Sequence, residues 1–97
     1  MAQVTVVVRV TVRPDATEKV RDALLKLVEP TLNKDDGCIN YDLYQDNDNP
    51  SLFFFLETWE SDEHLKKHLD SEHIKAYRKA TEGLIKQRDL YCLTRIS

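Results

Sequence analysis

Cysteine and long apolar runs are scarce in this 97-residue sequence. Its two cysteines, Cys38 and Cys92, lack C-x-x-C spacing, which argues against a disulfide framework or a redox pair. We interpret both as small buried hydrophobic residues within strands. No apolar run approaches the ~20 residues that a membrane-spanning helix needs. The first residues, MAQV, lack the basic region of a secretory signal, so we expect a cytoplasmic protein without a membrane segment.

The sequence also has no strong excess of charge of either sign. The sequence has 14 Lys and Arg against 17 Asp and Glu, a net charge of −3, and no basic stripe, which disfavours nucleic acid as a partner. It contains no nucleophile elbow, phosphate-binding loop or Ser/His/Asp order, and nothing identifies a bound cofactor. The composition, 41% hydrophobic and 32% charged, is that of one globular domain spanning residues 1–97.

Period-two alternation of apolar residues predicts four strands. The first is VTVVVRVTVR at residues 4–13, and the others are residues 38–45, 52–60 and 90–96. The turn-forming segment DNDNP at 46–50 joins the second and third strands as a hairpin.

Helix signals occupy the intervals between these strands. Asp15 is a candidate N-cap, with Glu18 completing a capping box, and Pro30 is expected to kink or end the helix that follows. The segment DDG at 35–37 is a stop signal. Ser61 and Ser71 are candidate N-caps of two short helices.

The predicted order of elements is β-α-β-β-α-β, with the second helical region split in two. This order predicts an α+β, ferredoxin-like fold with a four-stranded antiparallel sheet and helices on one face only.

The third predicted strand is apolar on both faces. One face carries Phe53, Phe55, Glu57 and Trp59, and the opposite face carries Phe54, Leu56 and Thr58. Because helices cover one face, the other would expose an apolar patch, also formed by Val7 and by Cys92 or Leu93. Burying two large side chains contributes roughly 3–6 kcal/mol before association costs. We therefore predict a homodimer through the open sheet face; the alternative is a monomer with a few exposed apolar residues.

Candidate chemical residues cluster near the end of the third strand. Trp59 is either a cavity wall or a core tryptophan, and Glu57 is expected to pair with an arginine, His68 or backbone. His68 lies at the edge of the apolar stripe of its helix. His64 and His68 have zinc-compatible spacing but lack an intervening glutamate and an obvious third ligand, so no metal is predicted. His73 is expected in solvent, and Asn40 points outward, toward the predicted dimer interface.

Three segments taken together resemble the antibiotic biosynthesis monooxygenase family. They are GCINYDLY at 37–44, FLETW at 55–59, and His68 followed by SEHI at 71–74. Their order and spacing carry the resemblance, which runs over essentially the whole chain.

The resemblance implies a ferredoxin-like homodimer that oxygenates a small aromatic quinol or anthrone with O2, using neither metal nor flavin. On this reading His68 is the base or proton shuttle, and Trp59 is the pocket wall and indole donor. Asn40 and Tyr77 are candidate substrate contacts, and Glu57 is a candidate for orienting His68.

Other activities remain open because the family is functionally broad. Some relatives isomerise a small phosphorylated signalling sugar, for which Arg9, Lys66, Lys67 and Arg78 are candidate contacts. Others degrade haem with an asparagine on the first strand, which this sequence lacks. A non-catalytic dimer that binds a small ligand is the remaining alternative.

Overall fold

The structure, a computed structural model, describes residues 2–97 and confirms the ferredoxin-like fold. Four strands form one sheet in the order β2-β3-β1-β4, and every neighbouring pair is antiparallel. The elements along the chain are β1 (Val4–Val12), α1 (Thr17–Lys34), β2 (Cys38–Gln45), β3 (Leu52–Trp59), α2 (Asp62–Leu69), α3 (Glu72–Ala80) and β4 (Ile85–Leu93). Within the described chain, no helix is both long and apolar enough to cross a membrane.

The helices cover one face of the sheet, as the strand alternation predicts. Val6, Val8, Val10 and Val12 of β1 are buried beneath them, together with Phe53, Phe55, Glu57 and Trp59 of β3. The main helical contribution to this core comes from the buried side of α1: Val20, Leu24 and Leu27. Within residues 2–97, no helix covers the opposite face, here called the helix-free face, so its residues do not contribute to this core.

The predicted start of α1 was wrong. Pro14–Ala16 forms a 3-10 turn, and Ala16 rather than Asp15 occupies the N-cap position of α1. A proline at the first position favours this tight turn because its φ is already fixed in the helical range. Pro30 does not end α1, which continues to Lys34 because its packed side persists to the fully buried Thr31. The stop at Gly37 is confirmed by a φ of 79°.

The caps of the two short helices were predicted correctly. The side chain of Ser61 accepts a hydrogen bond from the backbone N–H of His64, and Ser71 does the same for Ile74. These bonds satisfy N–H groups that a helix start leaves without partners. The caps fix where α2 and α3 begin and hence which way His68 and Tyr77 point.

β4 starts at Ile85 instead of residue 90 and ends at Leu93 instead of residue 96. The polar run KQRD at 86–89 hid its beginning. This strand lies at the edge of the sheet, where side chains on both faces reach solvent and alternation disappears. On the helix-free face, Asp89 pairs with Arg9 of β1 at 2.9 Å.

A register shift in β2 alters which of its side chains face the helices. Cys38 lies opposite Trp59 while Asn40 lies opposite Thr58, so Ile39 is the extra residue of a bulge. Cys38 is half-buried against the core, and burial raises the pKa of its thiol to about 11. Ile39 is 47% exposed, whereas strict alternation along β2 predicts that it shares the buried face of Tyr41; the bulge makes that prediction wrong. Cys92 is exposed near the end of the edge strand β4, so the prediction that it is buried was also wrong.

Candidate functional site

A small cavity, here called the inner cavity, lies between the sheet and the helices. Its volume is about 10 Å³, room for roughly one water molecule. Its apolar lining is Val8, Val10, Leu27, Phe55, Leu69, Ile74 and Leu90. Five polar or aromatic side chains complete the wall: Tyr41, Glu57, His68, Tyr77 and Arg88. A few convergent polar groups on an apolar wall are typical of sites for small organic ligands.

His68 is the central titratable group of this cavity. It is 2% exposed, and its ring packs against Trp59 at 4.7 Å between centroids and edge-on against Tyr41 at 5.3 Å. Its Nδ1 lies 2.6 Å from Oδ2 of Asp35, the residue that follows α1. Burial lowers the pKa of His68, and the nearby Asp35 carboxylate opposes this effect. The imidazole is therefore held with Nδ1 occupied, which leaves Nε2 for a ligand.

Glu57 is paired with Trp59. The indole Nε1–H of Trp59 donates a hydrogen bond of 2.8 Å to Oε1 of Glu57. Burial raises the pKa of Glu57 to about 7, while this bond and the charge of Arg88 pull it back. The contact to His68 expected from the sequence is made by Asp35 instead of Glu57. Trp59 supports the site from behind, packed on His68 and bonded to Glu57, and is not among the residues that line the inner cavity.

The sequence led us to expect His73 in solvent, and this expectation was wrong. Its Nε2 lies 2.8 Å from the same Asp35 oxygen that contacts His68, and its side chain is 15% exposed. The ligand-capable atoms of Asp35, His68 and His73 lie within 4.8 Å of one another, which is compatible with a metal ion. His64 belongs to a different contact, with its Nδ1 2.7 Å from Oγ of Ser61. His64 and His68, whose spacing in the sequence is compatible with zinc, therefore make separate contacts.

Tyr77 separates the inner cavity from a second concavity, here called the outer cleft. The outer cleft has a volume of about 200 Å³ and is lined by Ala23, Lys26, Leu27, His73, Ala76, Tyr77 and Ala80. Leu27 and Tyr77 line both spaces. The hydroxyl of Tyr77 is buried and has no hydrogen-bond partner within residues 2–97. A buried group without a partner costs about 1–3 kcal/mol, which a bound ligand could recover.

Arg88 is a cavity residue that sequence reasoning missed. It lies opposite Val10 in the sheet register, lines the inner cavity, and holds Cζ 5.9 Å from the centre of the Tyr77 ring. The misplaced start of β4 put it in a loop. Leu90 lies two residues after Arg88 and points to the same face of the strand. Extending the alternation backwards from Leu90 could therefore have located Arg88.

Asn40 is not a cavity residue. It lies opposite Thr58 on the helix-free face, is exposed, and its amide donates to Asp42 at 3.4 Å. A larger open depression of about 520 Å³ runs along α1, lined by Leu25, Lys26, Glu29, Pro30, Asn33 and Lys34. It lacks the aromatic and histidine side chains of the inner cavity, which remains the better candidate for chemistry.

Residues 3–80 match the family model described as "Antibiotic biosynthesis monooxygenase". The chain is 31% identical over 99 residues to the Escherichia coli K12 protein named "Probable quinol monooxygenase YgiN", covering 92% of this chain and 94% of that one. The crystal structure of PA3566 from Pseudomonas aeruginosa superimposes with a TM-score of 0.93 at 29% identity, covering 100% and 97% of the two chains. Rv0793 from Mycobacterium tuberculosis does so with a TM-score of 0.89 at 30% identity, covering 99% and 97%. These similarities support a monooxygenase-like role.

Proposed function

Because the chain belongs to the antibiotic biosynthesis monooxygenase family, we propose that it oxygenates a small aromatic quinol or anthrone with O2 and without a bound cofactor. The observation that carries the proposal is the setting of His68. A buried imidazole, held at Nδ1 by a carboxylate, lines a small cavity beside a buried phenol that has no hydrogen-bond partner within residues 2–97 and beside the exposed guanidinium of Arg88.

The first step is removal of a phenolic proton from the substrate by Nε2 of His68. A phenol pKa near 10 exceeds the ordinary histidine value of about 6.5 by about 3.5 units, or roughly 5 kcal/mol. Since burial lowers the pKa of His68, the gap in the protein is larger. Groups that stabilise the phenolate must offset it, and they act most strongly in a site that excludes water.

Arg88 and Tyr77 are the groups placed to stabilise that anion. Arg88 supplies a positive charge at the cavity wall, and the Tyr77 hydroxyl has a donor to offer. The phenolate then gives electrons to O2, and one oxygen atom becomes bonded to a ring carbon. For a quinol, the substrate supplies all four electrons, the product is a hydroxyquinone, and the second oxygen atom leaves as water. Both protons of that water come from the substrate, one of them by way of His68, and because the substrate supplies all four electrons no external reductant is needed.

The cavity must enlarge to admit an aromatic ring. It has room for roughly one water molecule, and the outer cleft shares two of its wall residues, Leu27 and Tyr77. We propose that the substrate enters by separating these two side chains. The movement would also bring the Tyr77 hydroxyl, now without a partner, into contact with the substrate.

The cavity lining favours an aromatic substrate over a phosphorylated sugar. Among the residues of the described chain that line it, Arg88 is the one cationic side chain. Arg9 is engaged by Asp89 on the opposite face of the sheet, and Lys66, Lys67 and Arg78 are exposed. A doubly charged phosphate is usually held by several cations or by backbone N–H groups.

The test is O2 uptake by purified protein, treated with a chelator, in the presence of a panel of quinols and anthrones. The wild-type chain should consume O2 with at least one of them. His68→Asn should reduce kcat by about a hundredfold or more, since positioned acid–base groups contribute typically 10²–10⁴-fold. His64→Asn is the matched control because His64 bonds to Ser61 and lies outside the inner cavity, so its uptake should stay near the wild-type value.

Two results would count against this function. One is the absence of O2 uptake over background with every compound in the panel. The other is an active enzyme in which His68→Asn retains wild-type turnover while its circular dichroism spectrum shows an intact fold.

We also propose that the chain acts as a homodimer through its helix-free sheet face. This face exposes Leu56 by 39%, Tyr91 by 48% and Leu93 by 46%. Two of its charges, Arg9 and Asp89, already pair with each other at 2.9 Å, and a third, Asp42 opposite Leu56, accepts a hydrogen bond from Asn40. In a two-fold symmetric interface the same patch of both subunits meets, so these exposed apolar side chains would be buried against their own copies.

A further inference from the structure

Asp35 accepts hydrogen bonds from two histidines on two different helices. Its Oδ2 lies 2.6 Å from Nδ1 of His68 on α2 and 2.8 Å from Nε2 of His73 on α3. The three side chains form a path outward: His68 is 2% exposed, Asp35 11% and His73 15%. His73 also lines the outer cleft. The contact therefore connects the inner cavity to a part of the surface that solvent reaches.

The backbone holds Asp35 in this position. Its N–H donates to the carbonyl of Thr31 and closes α1, and Gly37 turns the chain two residues later with a φ of 79°. A carboxylate fixed in this way offers one oxygen to both imidazoles. Since a carboxylate can only accept, each histidine nitrogen that faces it carries the proton.

We propose that Asp35 and His73 are positioning residues that hold His68 as its Nδ1–H tautomer with Nε2 directed to the substrate. The inference rests on the proposed function, in which Nε2 of His68 is the base. Asp35 fixes the tautomer and stabilises the imidazolium that forms during turnover. His73 fixes Asp35, because a second N–H on the same oxygen keeps that oxygen turned toward His68.

The distances favour hydrogen bonds over a metal site. Separations of 2.6 and 2.8 Å are those of charge-assisted N–H···O bonds, which need protons on both nitrogens. Two ligand atoms each about 2.1 Å from a zinc ion in tetrahedral geometry lie farther apart than this. The charged and titratable groups around His68 come from every neighbouring element: Asp35, Tyr41, Glu57, His73 and Arg88.

The resting protein tests the inference without any turnover. In ¹⁵N-labelled wild-type protein, long-range ¹H–¹⁵N spectra of the histidine rings should show His68 protonated at Nδ1 and unprotonated at Nε2. Asp35→Asn and His73→Phe should each move His68 toward a mixture of tautomers. His64→Phe should leave the His68 signals in place, because His64 contacts Ser61 rather than Asp35. His68 signals that stay unchanged in Asp35→Asn would overturn the inference.

A metal titration supplies the competing outcome. One equivalent of Zn²⁺ that binds with micromolar affinity and removes the ring N–H signals of both His68 and His73 would show a metal site and overturn the inference. Unchanged signals with Zn²⁺ would support it.

Turnover separates this inference from the proposed function. Asp35→Asn should lower kcat about tenfold or more while KM stays within about threefold, since the tautomer affects the base rather than substrate binding. If the wild-type chain shows the predicted tautomer but oxidises no quinol, the proposed function fails and the positioning contact stands. If wild-type turnover is present and Asp35→Asn matches it, the positioning role fails.

Discussion

Glu57 and His68 line the same cavity, and burial favours the neutral form of each. For Glu57 this raises the pKa from 4.5 to about 7, and for His68 it lowers the pKa below its ordinary value of 6.5. The two shifts act on stability in opposite senses. Between pH 4.5 and 7 the folded state holds a proton on Glu57 that the unfolded chain has lost, so this group makes stability fall as pH rises. His68 destabilises the fold as pH falls below 6.5, because the unfolded imidazole binds a proton first.

Replacing Glu57 by glutamine removes one of these two contributions. The glutamine amide would keep an oxygen for the indole of Trp59 but would carry no charge at high pH. We expect the variant to gain stability relative to wild type by about 2 kcal/mol more at pH 8 than at pH 5, because the folded-state pKa of Glu57 is raised from 4.5 to about 7. Urea denaturation at the two pH values measures this difference. Glu82→Gln, at an exposed position, is the control and should give the same small change at both. An equal effect of Glu57→Gln at pH 5 and pH 8 would show that Glu57 titrates normally.

The turn between α1 and β2 is set by a single glycine that has two constraints. Gly37 has a φ of 79°, and a Cβ atom at this position would overlap the ring of His64. Gly83, before β4, has a φ of 78° but open space around it. The two glycines therefore separate the cost of backbone strain from the cost of a side-chain clash.

Alanine substitutions at the two glycines should differ in stability. Gly83→Ala should cost roughly 1–2 kcal/mol, the penalty of a left-handed conformation for a residue with a Cβ. Gly37→Ala should cost about 1–3 kcal/mol more, because overpacking adds to the strain. Thermal unfolding monitored by circular dichroism measures both. Equal losses would mean that His64 moves aside freely. In that case, adding His64→Ala to Gly37→Ala would not restore any of the lost stability.

The elements that the sequence predicted well are those with strong local signals. The cap serines Ser61 and Ser71 and the alternation in β1 act over a few residues, so no distant part of the chain is needed to interpret them. The start of β4 depends on pairing with β1, which lies at the other end of the chain, and its polar run has no pattern of its own. Missing this start is also what concealed Arg88.

The site could be predicted only in part for the same reason. His68 and Trp59 stand out because they interrupt or end apolar patterns within one element. Asp35 lies 33 residues from His68 and 38 from His73, and in the sequence it is simply part of a helix stop signal. The register shift at Cys38 turned Ile39 outward by inserting one residue, which alternation alone does not reveal.

At the scale of the whole molecule, β3 serves both faces of the sheet. Its residues Phe55 and Glu57 line the inner cavity, and the alternating residues Phe54 and Leu56 face away from the helices. A partner subunit that covers the helix-free face would stiffen β3, and β3 also supplies residues to the inner cavity. The proposed dimer and the proposed chemistry are therefore linked through one strand.

Two leucines of similar exposure allow the assembly to be tested. Leu56 on the open sheet face is 39% exposed and Leu32 on α1 is 49% exposed. We expect Leu56→Glu to shift sedimentation at micromolar protein from dimer to monomer, because two copies of the new charge would meet across the interface, whereas Leu32→Glu should remain dimeric. We also expect quinol-dependent O2 uptake to fall in Leu56→Glu, since the cavity strand loses its support. A wild-type chain that sediments as a monomer would refute the dimer. A fully active Leu56→Glu monomer would instead show that the cavity is independent of assembly.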